Sequence, residues 1–189
     1  AWENVSICSP NPLNNDIIKN SQYVLKRCLH DNDQSFFNSF MDLFIHAVMY
    51  SHDKIILACP SNQFIVPLYM VTFHKSRNKL VGIMKCIETD MHAVLRAESL
   101  SDVAKVDIYY DIIYKVASWL KVVQHDFNFV HFDLKNNNIF IKRKNVNLEY
   151  ERDNLNIYIG DFGSSRIVIH DFILAGERFY KLDNSQFTN

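Results

Sequence analysis

Apolar and polar positions in the first part of the chain fall into short runs of the kind that build half-buried strands. Trp2 to Cys8 and residues 16–18 read as two short strands, separated by SPNPLNN, whose prolines and asparagines predict a loop. Tyr23-Val24-Leu25-Lys26 is a compact β-type run. The period then changes. Over residues 34–50, Phe37, Phe40, Met41, Phe44, Ile45 and Val48 recur at helical spacing and predict the apolar stripe of an amphipathic helix. Strands are predicted again over 62–73 and 79–86, joined by the polar turn 74–78.

Beyond Glu88 the helical period dominates. Ile108, Ile112, Val116, Ala117, Leu120 and Val123 share one face of a long predicted helix. Two apolar runs, 139–141 and 157–159, flank the polar stretch KRKNVNLEYERDN, which reads as a solvent-exposed excursion between paired strands. The fold class is α+β. The change of pattern near 86–90 divides a strand-rich part, 1–88, from a mainly helical part, 89–189.

Composition narrows the class of protein. With 189 residues, 48% hydrophobic and 22% charged, the chain can bury the core of one ordinary domain and is not of disordered type. A net charge of −1 gives no reason to expect nucleic acid or an anionic membrane as partner. No apolar run approaches the roughly 20 residues that span a bilayer, and the first residues show no basic region followed by an apolar stretch, so no signal peptide is expected. Cys8, Cys28, Cys59 and Cys86 are dispersed and form no CxxC pair. They read as reduced thiols in a cytoplasmic or nuclear setting, not as a zinc site or disulfide framework.

The candidate chemistry lies in two segments. Transfer of a phosphoryl group to a hydroxyl needs a carboxylate to orient the hydroxyl and take its proton, an oxygen ligand for Mg²⁺, and a cation near the γ-phosphate. Within VHFDLKNNNI, Asp133, Asn138 and Lys135 supply these three types. Downstream stands Asp161-Phe162-Gly163. Either segment alone is modest: such a tripeptide arises by chance, and an isolated aspartate is usually a surface or capping residue. Taken in order, after a long helix and bracketed by short strands, they resemble the HRDLKxxN catalytic loop and the DFG motif of the eukaryotic-type protein kinase family, with Phe132 in the arginine position.

That resemblance implies a bilobal kinase-like fold: an N-lobe β-sheet with one helix, plus the hinge, in 1–88, and a partial, mainly helical C-lobe in 89–189. It implies ATP and Mg²⁺ as cofactors, Asp133 and Lys135 as catalytic residues, and Asn138 and Asp161 as metal ligands. Residues 79–95 resemble the family's fifth strand, hinge and following helix, with ETDMHAVLRA most similar to MAP-kinase-like members. On that resemblance Met84 is the gatekeeper, and the backbone from Lys85 to Ile87 meets adenine; Met84 reads equally as a core methionine. The run ending at Lys26 resembles the VAIK strand, which implies that Lys26 holds the α- and β-phosphates, although a lone lysine there also reads as a solvated strand end. No glutamate occurs between Glu3 and Glu88, so Asp42 on the predicted helix would replace the usual acidic partner; otherwise it is a surface carboxylate.

The chain departs from the family in places. Its first glycine is Gly82, so no GxGxxG precedes Lys26, and the proline-containing loop 9–15 would stand there with fewer N–H donors. Phe132 removes the arginine that in many members pairs with a phosphorylated activation loop. No Ala-Pro-Glu follows Gly163, so the later substrate-binding helices are not expected. The asparagine-rich loop, the polar excursion and the missing glycine loop are similar to divergent kinases of large DNA viruses. The implied function is an ATP- and Mg²⁺-dependent protein kinase, of Ser/Thr type because of Lys135, acting on a protein substrate. A pseudokinase that binds a partner kinase or its substrate is the alternative, and a small-molecule kinase the third reading.

Overall fold

Short β-favouring runs separated by polar turns can satisfy their backbones only by pairing with one another, and four of them do so here. Strands β1 (Ser6–Cys8), β2 (Tyr23–Arg27), β3 (Leu68–His74) and β4 (Lys79–Lys85) form an antiparallel sheet in the order β1-β2-β4-β3. The computed structural model describes residues 6–8, 23–27, 33–52, 55, 64–74, 79–169 and 172–176. The strand expected at 16–18, most of the turn at 74–78 and the first positions of the strand expected from 62 lie outside them. Within the described part, that strand begins only at Leu68: Pro67 offers no N–H to a ladder, and Ile65 makes an isolated bridge to Ile159 instead.

Helix α1 (Asp33–Ser51) matches the predicted span within a residue at each end, but its orientation differs from the expectation. Its buried side is Met41, Asp42, Leu43, Ile45, His46 and Met49, whereas Phe37, Phe40 and Phe44 are exposed, the last two rings stacked on each other at 5.7 Å. The phenylalanines share a helical stripe, but a neighbouring stripe carries two polar residues that find partners inside, and that stripe faces inward. Gly82 helps to fix this seating. A Cβ there would meet Leu43 Cδ2 at 2.5 Å, so the bare backbone of β4 lets Leu43 settle on the sheet beside Lys26, its partner in the β2–β4 register.

The second half adds α2 (Met91–Arg96) and α3 (Asp102–Phe127), with a small antiparallel sheet β5-β6-β7 made of Thr89–Asp90, Ile139–Arg143 and Leu155–Ile159. Asp90 caps α2 by accepting the Ala93 N–H at 2.8 Å, and Ser101 caps α3 by accepting that of Ala104. α3 stops at Asn128, whose left-handed backbone (φ 45°) suits asparagine at a helix end. Ile108, Ile112, Val116 and Val123 are buried as expected. Ala117 is exposed, and Trp119 and Phe127 occupy the face instead, Trp119 stacking on Phe64 and meeting Phe129 edge-on, and Phe127 meeting His52 edge-on.

The excursion between β6 and β7 is exposed at its tip and tied down at its base. Glu88 accepts from the Arg143 backbone (3.0 Å) and guanidinium (2.7 Å) and from the Tyr150 hydroxyl (2.9 Å), while Arg143 lies 5.0 Å from the Tyr150 ring centre. The Asn154 side chain closes the loop through the backbone of Asn145 and Glu149. Buried Asp111 on α3 receives Lys115 at 2.6 Å and Arg152 at 3.5 Å. A last hairpin, β8 (Arg166–Ile169) with β9 (Phe172–Ala175), returns along α1. The whole is a mixed α/β arrangement of small antiparallel sheets and few helices, compatible with a partial kinase-like fold. No helix among the described residues is long and apolar enough to cross a membrane.

The facing of α3 gives a direct test. Ile112 is fully buried and its neighbour Ile113 is 38% exposed. Ile112→Ala is expected to lower stability by about 2–5 kcal/mol and Ile113→Ala by no more than about 0.5 kcal/mol in urea unfolding.

Candidate active site

Lys26 reaches out of β2 into a buried cluster of charge. Its Nζ forms an ion pair with Asp42 Oδ2 and lies 3.1 Å from Asp161 Oδ1. The three side chains are only 14%, 8% and 13% exposed, so water does little to screen them. Burial by itself would strip the lysine of its proton; the two carboxylates outweigh that effect and hold its pKa above the ordinary value. Burial likewise opposes the charge of Asp161, and the Lys26 ammonium overcomes it and depresses that carboxyl. The second oxygen of Asp42 accepts the backbone N–H of Phe162 at 3.0 Å. One carboxylate thereby joins α1 to β2 and to the segment after β7.

Asp161 itself has φ 65°, in the left-handed region. Its flanks hold it there. The Gly160 N–H donates to the Asn138 carbonyl (3.2 Å), and the Gly160 carbonyl accepts from His131 Nε2 (3.2 Å). The Phe162 ring is fully buried against His46, Phe129 and His131, at centroid distances of 5.2, 6.2 and 5.4 Å. His46 Nε2 lies 2.7 Å from the Val66 carbonyl. A carbonyl only accepts, so both histidines carry their proton on Nε2. Burial lowers the pKa of both, that of His46 to about 4.

The loop after α3 supplies the rest. Lys135 Nζ donates to Asp133 Oδ2 at 2.9 Å. The short turn Asn136–Asn138 buries Asn138, whose Nδ2 donates to the Asp133 carbonyl at 2.8 Å. Both oxygens near that amide nitrogen belong to Asp133, which fixes the amide orientation and leaves Oδ1 buried with no hydrogen-bond partner. An orphaned amide oxygen and a depressed carboxylate are donors of the kind that a hard divalent cation takes. Among the described residues no group of three or more His, Cys, Asp or Glu could hold a metal ion. Asn138 Oδ1 and the Asp161 carboxylate are the two oxygen donors in this part of the structure that could hold such an ion.

The structure thus brings Lys26, Asp42 and Asp161 into contact, and Asp133, Lys135 and Asn138 into contact, with the Asn138–Gly160 bond joining the two groups. Met84, Lys85 and Ile87 belong to neither group. Met84 is buried with Val66, Leu68 and Tyr158, Ile87 packs on that cluster, and the Lys85 N–H donates to the Pro67 carbonyl at 2.9 Å. Two contributors were not picked out from the sequence. His46 follows Asp42 by one helical turn, a spacing that signals a shared face. The β8–β9 hairpin with Ser165 at its base was also missed, although Ile167-Val168-Ile169 and Phe172-Ile173-Leu174 around His170-Asp171 carry a hairpin pattern.

No protein-family model matches the sequence. Over 122 residues the chain is 29% identical to the meiosis induction protein kinase IME2/SME1 of Saccharomyces cerevisiae, a match that takes in 61% of this chain and 19% of that kinase. The chain is therefore similar, over part of its length, to a protein kinase, and it spans a small fraction of that relative.

The buried histidine sets a pH response. In the unfolded chain His46 takes up a proton near its ordinary value of 6.5, whereas in the folded protein it resists until about 4. Falling pH therefore favours the unfolded state across that window and has no effect through this group above it. The loss is expected to total roughly 3 kcal/mol by pH 4. Denaturant titrations of the native protein and His46→Gln, whose amide can still donate to Val66, should diverge across that window; parallel curves would remove His46 as the cause.

Proposed function

We propose that this chain carries the nucleotide- and metal-binding centre of an ATP- and Mg²⁺-dependent protein kinase of the Ser/Thr type, acting on a protein substrate in the cytoplasm or nucleus. The observation that carries the reading is the meeting of two three-residue groups: Lys26 with Asp42 and Asp161, and Asp133 with Lys135 and Asn138, joined through the Asn138–Gly160 bond. Among the described residues, one ammonium, that of Lys26, faces two buried carboxylates, a balance that a bound cation would suit. In this reading residues 1–88 form the N-lobe and hinge and 89–189 part of the C-lobe, with Met84 to Ile87 beside the adenine.

What Mg²⁺-ATP supplies when bound is a transferable phosphoryl group with its charge partly neutralised. Lys26 holds the α- and β-phosphates while Asp42 keeps it charged and aimed. Asp161 and Asn138 provide the metal-binding oxygens. Asp133 orients the acceptor hydroxyl and takes its proton as the new O–P bond forms and the bond to ADP breaks. Lys135, which donates to Asp133, steadies the γ-phosphate in this reading. A pseudokinase that engages a partner kinase or its substrate is the second reading. One observation favours it: the first glycine is Gly82, so no glycine-rich cover precedes Lys26.

Two sets of variants decide between them. Asp133→Asn is expected to reduce phosphoryl transfer by about 10²–10⁴-fold while leaving ATP affinity nearly unchanged. Asp161→Asn should weaken both. A protein that transfers no phosphate to any substrate or to itself, yet binds its partner equally well with Asp133→Asn, would establish the pseudokinase instead. Separately, ATP with Mg²⁺ should raise the melting temperature by linkage, and Lys26→Met should shrink that rise. An undiminished rise would show that Lys26 does not hold the phosphates.

A further inference from the structure

The segment after Gly163 does not leave the site. It runs out along β8 and returns along β9, which lies against α1, so that Gly176 ends up against Gly163. Ser165 is fully buried at the base of this hairpin and uses its polar groups in three directions. Its N–H donates to the Phe162 carbonyl (2.9 Å), its Oγ donates to the His131 carbonyl (3.2 Å), and its own carbonyl accepts the Gly176 N–H (2.7 Å). Next to it, Arg166 and Val130 exchange two backbone hydrogen bonds of 2.8 Å each. The hairpin base is thereby stitched both to the loop that carries Asp133 and to the segment that carries Asp161.

Gly176 has no room for a side chain. A Cβ would overlap the Gly163 carbonyl oxygen, approach its carbonyl carbon to 2.7 Å, and stand 3.1 Å from Ser164 Cα. These are backbone atoms that cannot swing aside, so any larger residue must push the 163–164 segment. Asp161 lies two residues ahead in the left-handed region. From the front it is held by Asn138 and His131 acting on Gly160. From behind it is held by Asp42 acting on Phe162, and by the hairpin acting on residues 162–165.

We propose that Ser165 and Gly176 are positioning residues: the β8–β9 hairpin is a back-stop that sets where the Asp161 carboxylate stands relative to Asn138, and so sets the affinity for the divalent cation. The proposal rests on the metal-nucleotide reading above. A hairpin with only a structural role would change the stability of the fold. A back-stop changes the metal-dependent part of nucleotide binding, in the way that residues behind metal ligands commonly do.

The test measures ATP affinity of the full chain with Mg²⁺ and again in EDTA, together with melting temperature. The proteins are the native chain, Gly176→Ala, Ser165→Ala, and Ile173→Ala on the exposed side of β9. Gly176→Ala is expected to weaken binding in Mg²⁺ by about ten-fold and Ser165→Ala by a smaller factor. Affinity in EDTA should move by less than about two-fold in both, and Ile173→Ala should alter neither value. Equal losses with and without Mg²⁺, or an unchanged Mg²⁺ dependence in both variants, overturn the proposal. Should Gly176→Ala fail to fold, Ser165→Ala decides, because it removes one hydroxyl without adding an atom: a selective loss in Mg²⁺ supports the back-stop, and any other result overturns it. If the native chain binds ATP no better with Mg²⁺ than in EDTA, the underlying reading fails and this one falls with it. A native Mg²⁺ dependence that survives both variants sinks the back-stop alone.

Discussion

The Asp42 carboxylate is the point on which the site depends. It lies on α1, one oxygen paired with Lys26 of β2 and the other accepting the Phe162 N–H after β7. A buried carboxylate with only half its needs met is costly, and removal of the Lys26 ammonium would leave an uncompensated charge worth about 3–5 kcal/mol. Lys26 stands on a different element and Phe162 lies 120 residues away, so this requirement couples a helix, a sheet and a loop. Aspartate is one methylene shorter than glutamate, and α1 must therefore approach the sheet closely. Gly82 eases that approach by making way for the Leu43 side chain.

Much of the architecture was readable because periodicity reports burial directly. The helix at 34–50, the long helix after Glu88 and the paired runs at 139–141 and 157–159 follow from alternation or 3.6-residue spacing. Orientation was less readable. Phe37, Phe40 and Phe44 define a stripe as apolar as the one that is buried, and only the partners of Asp42 and His46, set elsewhere in the chain, decide between them. The same limit misplaced Ala117 and hid Trp119. Among site residues, Asp133, Lys135 and Asn138 are local in sequence, because a single tight turn must present them together. The contact of Lys26 with Asp42 and Asp161 spans three elements, and no spacing rule contains it.

The backbone around Asp161 and Phe132 shows what holding such a turn requires. Both residues take positive φ, 65° and 60°, which for side chains of this kind costs on the order of 1–3 kcal/mol each. Asn128, the third such residue, sits at a helix end where its type is common. The other two are flanked by the closely packed group of Phe129, His131, Phe162 and His46. Neutral histidines suit this role, since each offers a flat ring for packing and one N–H for a stray carbonyl.

The excursion between β6 and β7 shows how a protein can accept extra residues without disturbing its working parts. Arg143 and Tyr150 fasten its base to Glu88, Arg152 fastens its return to Asp111, and Asn154 closes the ring across Asn145. At the tip, Val146 and Leu148 are exposed to solvent. Lengthening a loop that is already closed carries only a logarithmic entropic cost. The tip is thus a natural graft point, where a peptide tag or a dye-bearing residue can be installed to watch the molecule without touching the chemistry it surrounds.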